Sequence, residues 1–223
     1  MEIERQRGIS VATSVLAFEY EGIKINILDT PGHKDFAEDT YRTLTAVDSV
    51  IVVIDVAKGV EEQTEKLVEV CKMRQIPIIV FVNKLDREGK DAFDLLDEIE
   101  LKLKLKVCPL SFPIGMGYDF SGIYNIFEDK VSLLKGNEIK FIDKNEVKNN
   151  ISTGLNNQFI EDVELLEMVY PKFDKNEYLK SKIQPVFFGS ALNNFGVEDL
   201  LRCFIDIAPT PQPKESSIRI VNP

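Results

Sequence analysis

The sequence predicts an α/β fold in which a mostly parallel sheet is flanked by helices. Two unbroken runs of β-branched and aromatic residues, at positions 50–54 and 78–82, contain no polar residue. Such runs are typical of parallel strands that are covered on both faces. Amphipathic segments follow at 61–75 and 91–105, and a third run at 185–189 precedes a helical segment at 197–207. Alternation of strand and helix indicates a parallel α/β sheet.

The N-terminal region predicts a β-hairpin. Residues 12–20 and 23–28 are rich in β-forming residues and are joined at Glu21-Gly22, a short turn sequence. Ile23, Ile25 and Ile27 alternate with polar residues, as in a strand with one buried face. We expect residues 23–28 to join the parallel sheet with 50–56, 78–82 and 186–188, and residues 12–20 to pair antiparallel at its edge.

Residues 107–182 interrupt this alternation. Glycines cluster near their start, a Lys/Asn-rich segment covers 135–157, and acidic residues follow. We interpret the segment as an insertion with hairpin and helical pieces, within one domain that spans residues 1–208. Pro209, Pro211 and Pro213 end the last helix and predict an extended linker over 209–223, toward a second domain.

Composition and charge exclude several classes of protein. The chain has 37 Asp and Glu residues against 27 Lys and Arg, a net charge of −10, which argues against non-specific wrapping of nucleic acid, and we expect no direct sequence-specific nucleic-acid binding. Its three cysteines lack C-x-x-C spacing, which argues against a disulfide framework or a zinc site. The apolar runs are far shorter than the roughly 20 residues that span a bilayer. We therefore expect a cytoplasmic protein with no membrane partner.

The motif Asp29-Thr30-Pro31-Gly32-His33 directly follows the strand predicted at 23–28. Pro and Gly suit an ordinary turn at a strand end, which is one interpretation. In the other, the Asp29 carboxylate holds Mg²⁺ through water, and the Gly32 N–H approaches a terminal phosphate. The motif alone leaves both interpretations open.

Two further motifs follow strands. Asn83, Lys84 and Asp86 form N-K-x-D after the run at 78–82, and Ser190-Ala191 follows the run at 185–189. Such polar residues also cap helices and form turns. An aspartate here could accept hydrogen bonds from guanine N1–H and the 2-amino group, and a backbone N–H of the Ser190-Ala191 turn could meet guanine O6. Because carboxyl ends of parallel strands share one sheet edge, the motifs predict a guanine-nucleotide site there.

With their surroundings, these motifs resemble the GTPase domain of translational GTPases. Residues 29–36 (DTPGHKDF) and 7–10 (RGIS) are similar to the second and first switch segments of that family. Residues 5–11, 37–44 and 83–100, and the long gap between Asp86 and Gly189, are most similar to bacterial peptide chain release factor 3. The similarity covers essentially the whole chain.

The resemblance implies a P-loop-GTPase-like fold with GTP or GDP and Mg²⁺ as cofactors. It implies that Ser10 and Asp29 hold the metal, that Gly32 donates its N–H to the γ-phosphate, and that His33 is the catalytic residue that orients the attacking water. The implied GTP-binding residues are Ser10, Asp29, Thr30, Pro31, Gly32, His33, Asn83, Lys84, Asp86, Ser190 and Ala191.

The resemblance also implies partners and an activity. These are the ribosome, class I peptide chain release factors and guanine nucleotide, with GTP hydrolysis promoting the departure of the release factor. Two alternatives stay open: a non-catalytic protein-interaction module, and an elongation-factor-like or ribosomal-protection GTPase.

One part of the family's site has no counterpart in these 223 residues, the phosphate-binding loop G-x-x-x-x-G-K-[ST]. In the family this loop precedes the first switch, and the strand before it lies between the counterparts of residues 23–28 and 50–56. We therefore expect a GTPase-domain fragment in which the first strand and the P-loop are absent. Two strands would keep unpaired edges, which favours self-association, and the chain alone would bind GTP weakly and be inactive.

Overall fold

The computed structural model describes residues 13–30, 37–135, 138–215 and 220–221. The strands among these residues are β1 (Ser14–Tyr20), β2 (Ile23–Asp29), β3 (Val50–Asp55), β4 (Ile78–Asn83), β5 (Val107–Pro109), β6 (Ser111–Ile114), β7 (Gly122–Asn125), β8 (Lys130–Lys135), β9 (Glu138–Asp143), β10 (Gln184–Phe188), β11 (Lys214–Glu215) and β12 (Ile220–Val221). The helices are α1 (Ala37–Thr43), α2 (Glu62–Met73), α3 (Ala92–Leu103), α4 (Thr153–Val169), α5 (Lys175–Leu179) and α6 (Val197–Ile207), with 3₁₀ turns at Gly117–Asp119, Lys144–Asn149 and Ala191–Asn193.

A four-stranded parallel sheet in the order β3-β4-β10-β5 forms the centre of the molecule. Helices α2 and α3 bury Val68 and Leu96 against one face, which includes Val80. Helices α5 and α6 cover the other face of the sheet, which includes Phe81. Cys203 of α6 lies in the same cluster of buried side chains as Phe81. The predicted α/β fold with a parallel sheet flanked by helices is confirmed.

Helix α3 shows how the sequence sets the ends of these elements. The Asp91 carboxylate caps its first turn by accepting hydrogen bonds from the N–H groups of Phe93 and Asp94, at 2.8 and 3.3 Å. Leu95, Leu96, Ile99 and Leu103 give the helix its buried face. It stops at Lys104, whose φ of 51° is left-handed. The amphipathic segment at 91–105 therefore forms the helix that its pattern predicts.

The hairpin forms as predicted, but its place in the sheet does not match the prediction. Glu21 and Gly22 have φ values of 48° and 77°, as a two-residue turn with two left-handed residues requires. Strands β1 and β2 form a separate two-stranded antiparallel sheet, so the prediction that residues 23–28 join the parallel sheet is wrong. No strand within the described ranges lies between β2 and β3, and Val53 on the outer strand β3 is 58% exposed. Among the described strands, β2 pairs with β1 and β3 pairs with β4, and the expected unpaired edges stay a prediction.

Residues after β5 form a second layer. Strands β6 to β9 make a four-stranded antiparallel sheet, and α4 packs Phe159 and Val163 against its residues Tyr124 and Val131. The hairpin and helical pieces that we expected in the insertion are these elements. The first residues of the predicted insertion, Val107–Pro109, pair in parallel with β10 as the outer strand of the central sheet.

The helices and the three cysteines bear on two expectations from the sequence, the absence of a membrane span and the absence of a disulfide or zinc site. No helix in the described part of the chain is long and apolar enough to cross a membrane. Cys71, Cys108 and Cys203 are buried free thiols, and burial raises their pKa values to about 11, 12 and 12. Thiols with such pKa values stay protonated at neutral pH and are poor nucleophiles and metal ligands.

Candidate guanine-binding site

Three neighbouring strands of the central sheet end at the same edge. In the parallel register, Asp55 of β3 lies beside Asn83 of β4, and Phe188 of β10 lies beside Val82 of β4. Gly189 and Ser190, which follow β10, therefore lie level with the end of β4. The register brings the N-K-x-D and Ser190-Ala191 motifs together, as the sequence predicts.

Asn83 joins these two motifs. Its Oδ1 atom accepts hydrogen bonds from the N–H of Lys84 at 2.8 Å and from the N–H of Ala191 at 2.9 Å. Lys84 has a φ of 71°, a left-handed conformation that is costly for a residue with a Cβ atom. The Ala191 N–H, one of the backbone donors of this turn that could meet guanine O6, is therefore already engaged by Asn83.

Asp86 is held by the second motif. Its Oδ1 atom accepts a hydrogen bond from the Ser190 hydroxyl at 2.5 Å, and the Ser190 Oγ in turn accepts one from Asn193 Nδ2 at 3.1 Å. Ser190 is fully buried, whereas the Asp86 side chain remains 22% exposed. Within the described ranges, Asp86 Oδ2 has a 4.0 Å contact with Arg87. The Ser190 hydroxyl thus holds the carboxylate in place, and Oδ2 together with the second lone pair of Oδ1 forms an acceptor pair that suits a ligand with paired N–H donors.

Lys84 extends across the sheet edge to Asp55, a residue outside the motifs recognised in the sequence. Its Nζ atom lies 2.6 Å from Asp55 Oδ2, and Asp55 Oδ1 accepts a hydrogen bond from the N–H of Ala57 at 2.9 Å. Burial raises the pKa of Asp55, but the hydrogen bonds from Lys84 and Ala57 outweigh it and hold the pKa below its ordinary value. Asp55 directly follows the run at 50–54, so the signal that identified Asn83 could also have identified Asp55.

The backbone under the site is tightly packed. The N–H of Leu85 donates to the carbonyl of Gly189 at 3.2 Å, and the N–H of Gly189 donates to the carbonyl of Val82 at 2.9 Å. A methyl group on Gly189 would lie 2.4 Å from the Phe195 carbonyl oxygen and 2.6 Å from the Phe81 ring. These distances are too short for any side chain, so the turn after β10 requires glycine at this position.

The residues predicted to bind phosphate and metal are only partly within the described structure. Asp29 ends β2, where it is exposed and lies opposite Ser14, and Thr30 is half-buried. Ser10, Pro31, Gly32 and His33 lie outside the described residues. The predicted Mg²⁺ site at Ser10 and Asp29, and the role of His33, therefore stay predictions.

Comparisons with known proteins agree with this geometry. A family model described as the elongation factor Tu GTP binding domain matches residues 1–210. A crystal structure of a protein from Thermus thermophilus superposes with a TM-score of 0.74 at 23% sequence identity, over 95% of this chain and 34% of that chain. The chain thus spans about a third of that protein, and at this identity the likeness shows the fold. The matched residues show that the chain belongs to the elongation factor Tu GTP-binding domain family and is a GTP-binding domain of the translational GTPase type.

Proposed function

We propose that this chain is the guanine-nucleotide domain of a translation-termination GTPase. In this proposal, GTP bound with Mg²⁺ is hydrolysed on the ribosome, and hydrolysis promotes the release of class I peptide chain release factors. The observation that carries the nucleotide part is that the Ser190-Ala191 turn donates hydrogen bonds to both Asp86 and Asn83 at one sheet edge. The termination part is supported by the similarity of residues 37–44 and by the long segment between Asp86 and Gly189.

Guanine recognition rests on Asp86. The Ser190 hydroxyl holds the carboxylate through Oδ1, and the acceptor positions that remain on its two oxygens would take the hydrogen bonds from guanine N1–H and the 2-amino group. Adenine has an acceptor at N1 and no 2-amino group, so it would face the carboxylate without donors. The Ala191 N–H already donates to Asn83 Oδ1, so guanine O6 would either share this donor or displace Asn83 Oδ1 from it.

Base discrimination tests this assignment directly. We expect GMP to bind more tightly than IMP, which lacks the 2-amino group, and IMP to bind more tightly than AMP. The measurement is a ligand-observed NMR titration of the 223-residue chain with the three nucleotides. Equal affinity for GMP and AMP would remove the guanine assignment.

Hydrolysis is tested in the complete protein on ribosomes. The proposed water-orienting role of His33 implies that His33→Ala abolishes ribosome-stimulated GTP turnover and leaves GTP affinity nearly unchanged. Release of a class I factor from terminated ribosomes would distinguish a termination factor from an elongation-type GTPase. Stimulated turnover that survives within a few-fold in His33→Ala would show that His33 has no such role.

The family match also favours one alternative. An elongation-factor-like or ribosomal-protection GTPase would have the same base-binding edge, and the matching family model is that of elongation factor Tu. The other alternative is a non-catalytic module that uses the same sheet to contact a protein partner. The ribosome assays above separate all three.

A further inference from the structure

One turn of the insertion contacts both segments of the base-binding edge. Its first contact is with the N-K-x-D segment, where the N–H of Gly117 donates to the Leu85 carbonyl at 3.3 Å. A methyl group on Gly117 would lie 3.3 Å from Glu88 Cγ and 3.4 Å from Glu88 Cα. The turn therefore lies directly against residues 85–88.

Its second contact is an aromatic pair. The rings of Phe120 and Phe195 meet edge to face, with centroids 5.3 Å apart and an interplanar angle of 82°. Phe195 is buried, and Phe120 is partly buried against the central core. Edge-to-face pairs of this kind stabilise beyond the area that they bury, so Phe120 restrains the position of Phe195.

Phe195 in turn fixes Ser190. The N–H of each residue donates to the carbonyl of the other at 2.9 Å, which closes the 3₁₀ turn between them. The Ser190 hydroxyl is the group that holds Asp86 Oδ1. Contacts therefore run from the Phe120 ring through Phe195 and Ser190 to the carboxylate that faces the base.

We propose that Phe120 is a positioning residue for guanine recognition. This inference rests on the proposed function and assigns a role in it to the insertion. Without the Phe120 ring, the turn at residues 190–195 loses the packing on its outer side, and the Ser190 hydroxyl is no longer held at one position. Asp86 then adopts several orientations, and the paired hydrogen bonds to guanine N1–H and the 2-amino group weaken together.

The test compares GMP with IMP, because these differ only in the 2-amino group. We expect Phe120→Ala to reduce the ratio of GMP to IMP affinity at least fivefold, whereas Phe120→Tyr, which keeps the ring, restores the ratio of the unmodified chain. The matched control is Phe127→Ala. Phe127 makes a similar edge-to-face pair with Phe173, at 5.9 Å and 78°, elsewhere in the insertion. A general loss of stability would weaken both nucleotides equally and leave the ratio unchanged.

Each outcome has a definite meaning. A ratio that changes less than twofold in Phe120→Ala, or that falls equally in Phe127→Ala, would overturn the inference. If Phe120→Ala does not fold, Phe120→Leu keeps the apolar volume without the ring edge, and the same fivefold criterion applies to it. Failure of the unmodified chain to prefer GMP over AMP would instead overturn the proposed function, a result that is visible before any Phe120 variant is measured.

Discussion

The proposed base-binding residues Asn83, Asp86 and Ser190 (the base side) and the proposed phosphate-side residues Asp29 and Thr30 (the phosphate side) differ in how the fold holds them. Asn83 and Asp86 lie at the edge of a continuous parallel sheet, where Asp86 accepts a hydrogen bond from the Ser190 hydroxyl at 2.5 Å and Asn83 accepts one from the Ala191 N–H at 2.9 Å. Asp29 and Thr30 lie at the end of a two-stranded hairpin, and among the described strands this hairpin has no backbone ladder to that sheet. The proposed base-binding residues are therefore held by strands of the central sheet. The position of the proposed phosphate-side residues, Asp29 and Thr30, depends instead on how the hairpin is fixed.

The hairpin is weakly anchored because most of its apolar side chains are exposed. Ile25 is buried at 6% exposure, but Ile23 and Ile27 on the same strand are 45% and 41% exposed. Val15 on β1 is 70% exposed. Two-stranded hairpins are marginally stable by themselves, and exposed strand edges pair with other chains. The base side thus has the more rigid scaffold, and the predictions below test this contrast.

The largest effect is expected at Asp86. Replacing Asp86 with Asn puts an amide in place of a carboxylate, so the guanine donors lose an acceptor and xanthine, with a carbonyl at position 2, gains a donor. Hydrogen bonds to a charged group contribute about 1.5–3 kcal/mol each, so the ratio of GMP to XMP affinity should change by about 100-fold or more. NMR titration with both nucleotides measures this ratio.

Asp94→Asn is the control for the loss of one negative charge, because Asp94 is exposed in the first turn of α3. It should leave the ratio of GMP to XMP affinity unchanged. An unchanged ratio in Asp86→Asn itself would mean that the carboxylate does not contact the base.

The packing under the base side gives the next largest effect. A methyl group at Gly189 would overlap the Phe195 carbonyl and the Phe81 ring, so Gly189→Ala should lower the free energy of unfolding by about 2 kcal/mol. The control is Gly154→Ala, in α4, where a methyl group meets no atom within 4 Å. That change should raise stability by about 0.5 kcal/mol, since alanine favours helix. Urea unfolding measures both variants, and equal stabilities would contradict the tight packing of the turn.

The parts of this fold that the sequence predicted are those with local signals. The apolar runs of β3 and β4 and the amphipathic pattern at 91–105 are local, and so is the position of Asn83 at the end of its run. The separation of β2 from the parallel sheet is not local, because the pattern of Ile23, Ile25 and Ile27 marks a strand but does not select its neighbour.

The same limit applies within the site. Phe120 and Phe195 lie in loop segments far apart in the sequence, so no periodicity links them, and only the tertiary fold brings their rings together. The pair of Lys84 with Asp55 depends on the parallel register of β3 and β4, which places Asp55 beside Asn83. In both cases the contact is set by the packing of distant segments.

A smaller effect concerns this Lys84 and Asp55 pair. The pKa of Asp55 is lower in the folded chain than its ordinary value of 3.8, so the unfolded state binds more protons as pH falls below 4. The stabilisation is complete above that range and is lost as pH falls through the folded pKa. Since the Lys84 side chain is 43% exposed, solvent screens the pair, and Asp55→Asn should cost only about 0.5–1 kcal/mol at pH 7. Urea unfolding at pH 7 and pH 3 should show this cost shrinking at the lower pH; a constant cost would contradict the ion pair.

The smallest effect is expected from the phosphates. The 223 residues contain no G-x-x-x-x-G-K-[ST], and the chain carries a net charge of −10, which opposes the approach of a triphosphate. Without a cradle of backbone N–H groups and a lysine, added phosphates gain little binding free energy. We therefore expect the affinities of this chain for GMP, GDP and GTP to agree within about threefold, with Mg²⁺ present, in the same NMR titrations. A gain of about tenfold or more from GMP to GTP would show that these residues hold a phosphate site of their own, and the contrast between the two sides of the site would then fail at the hairpin.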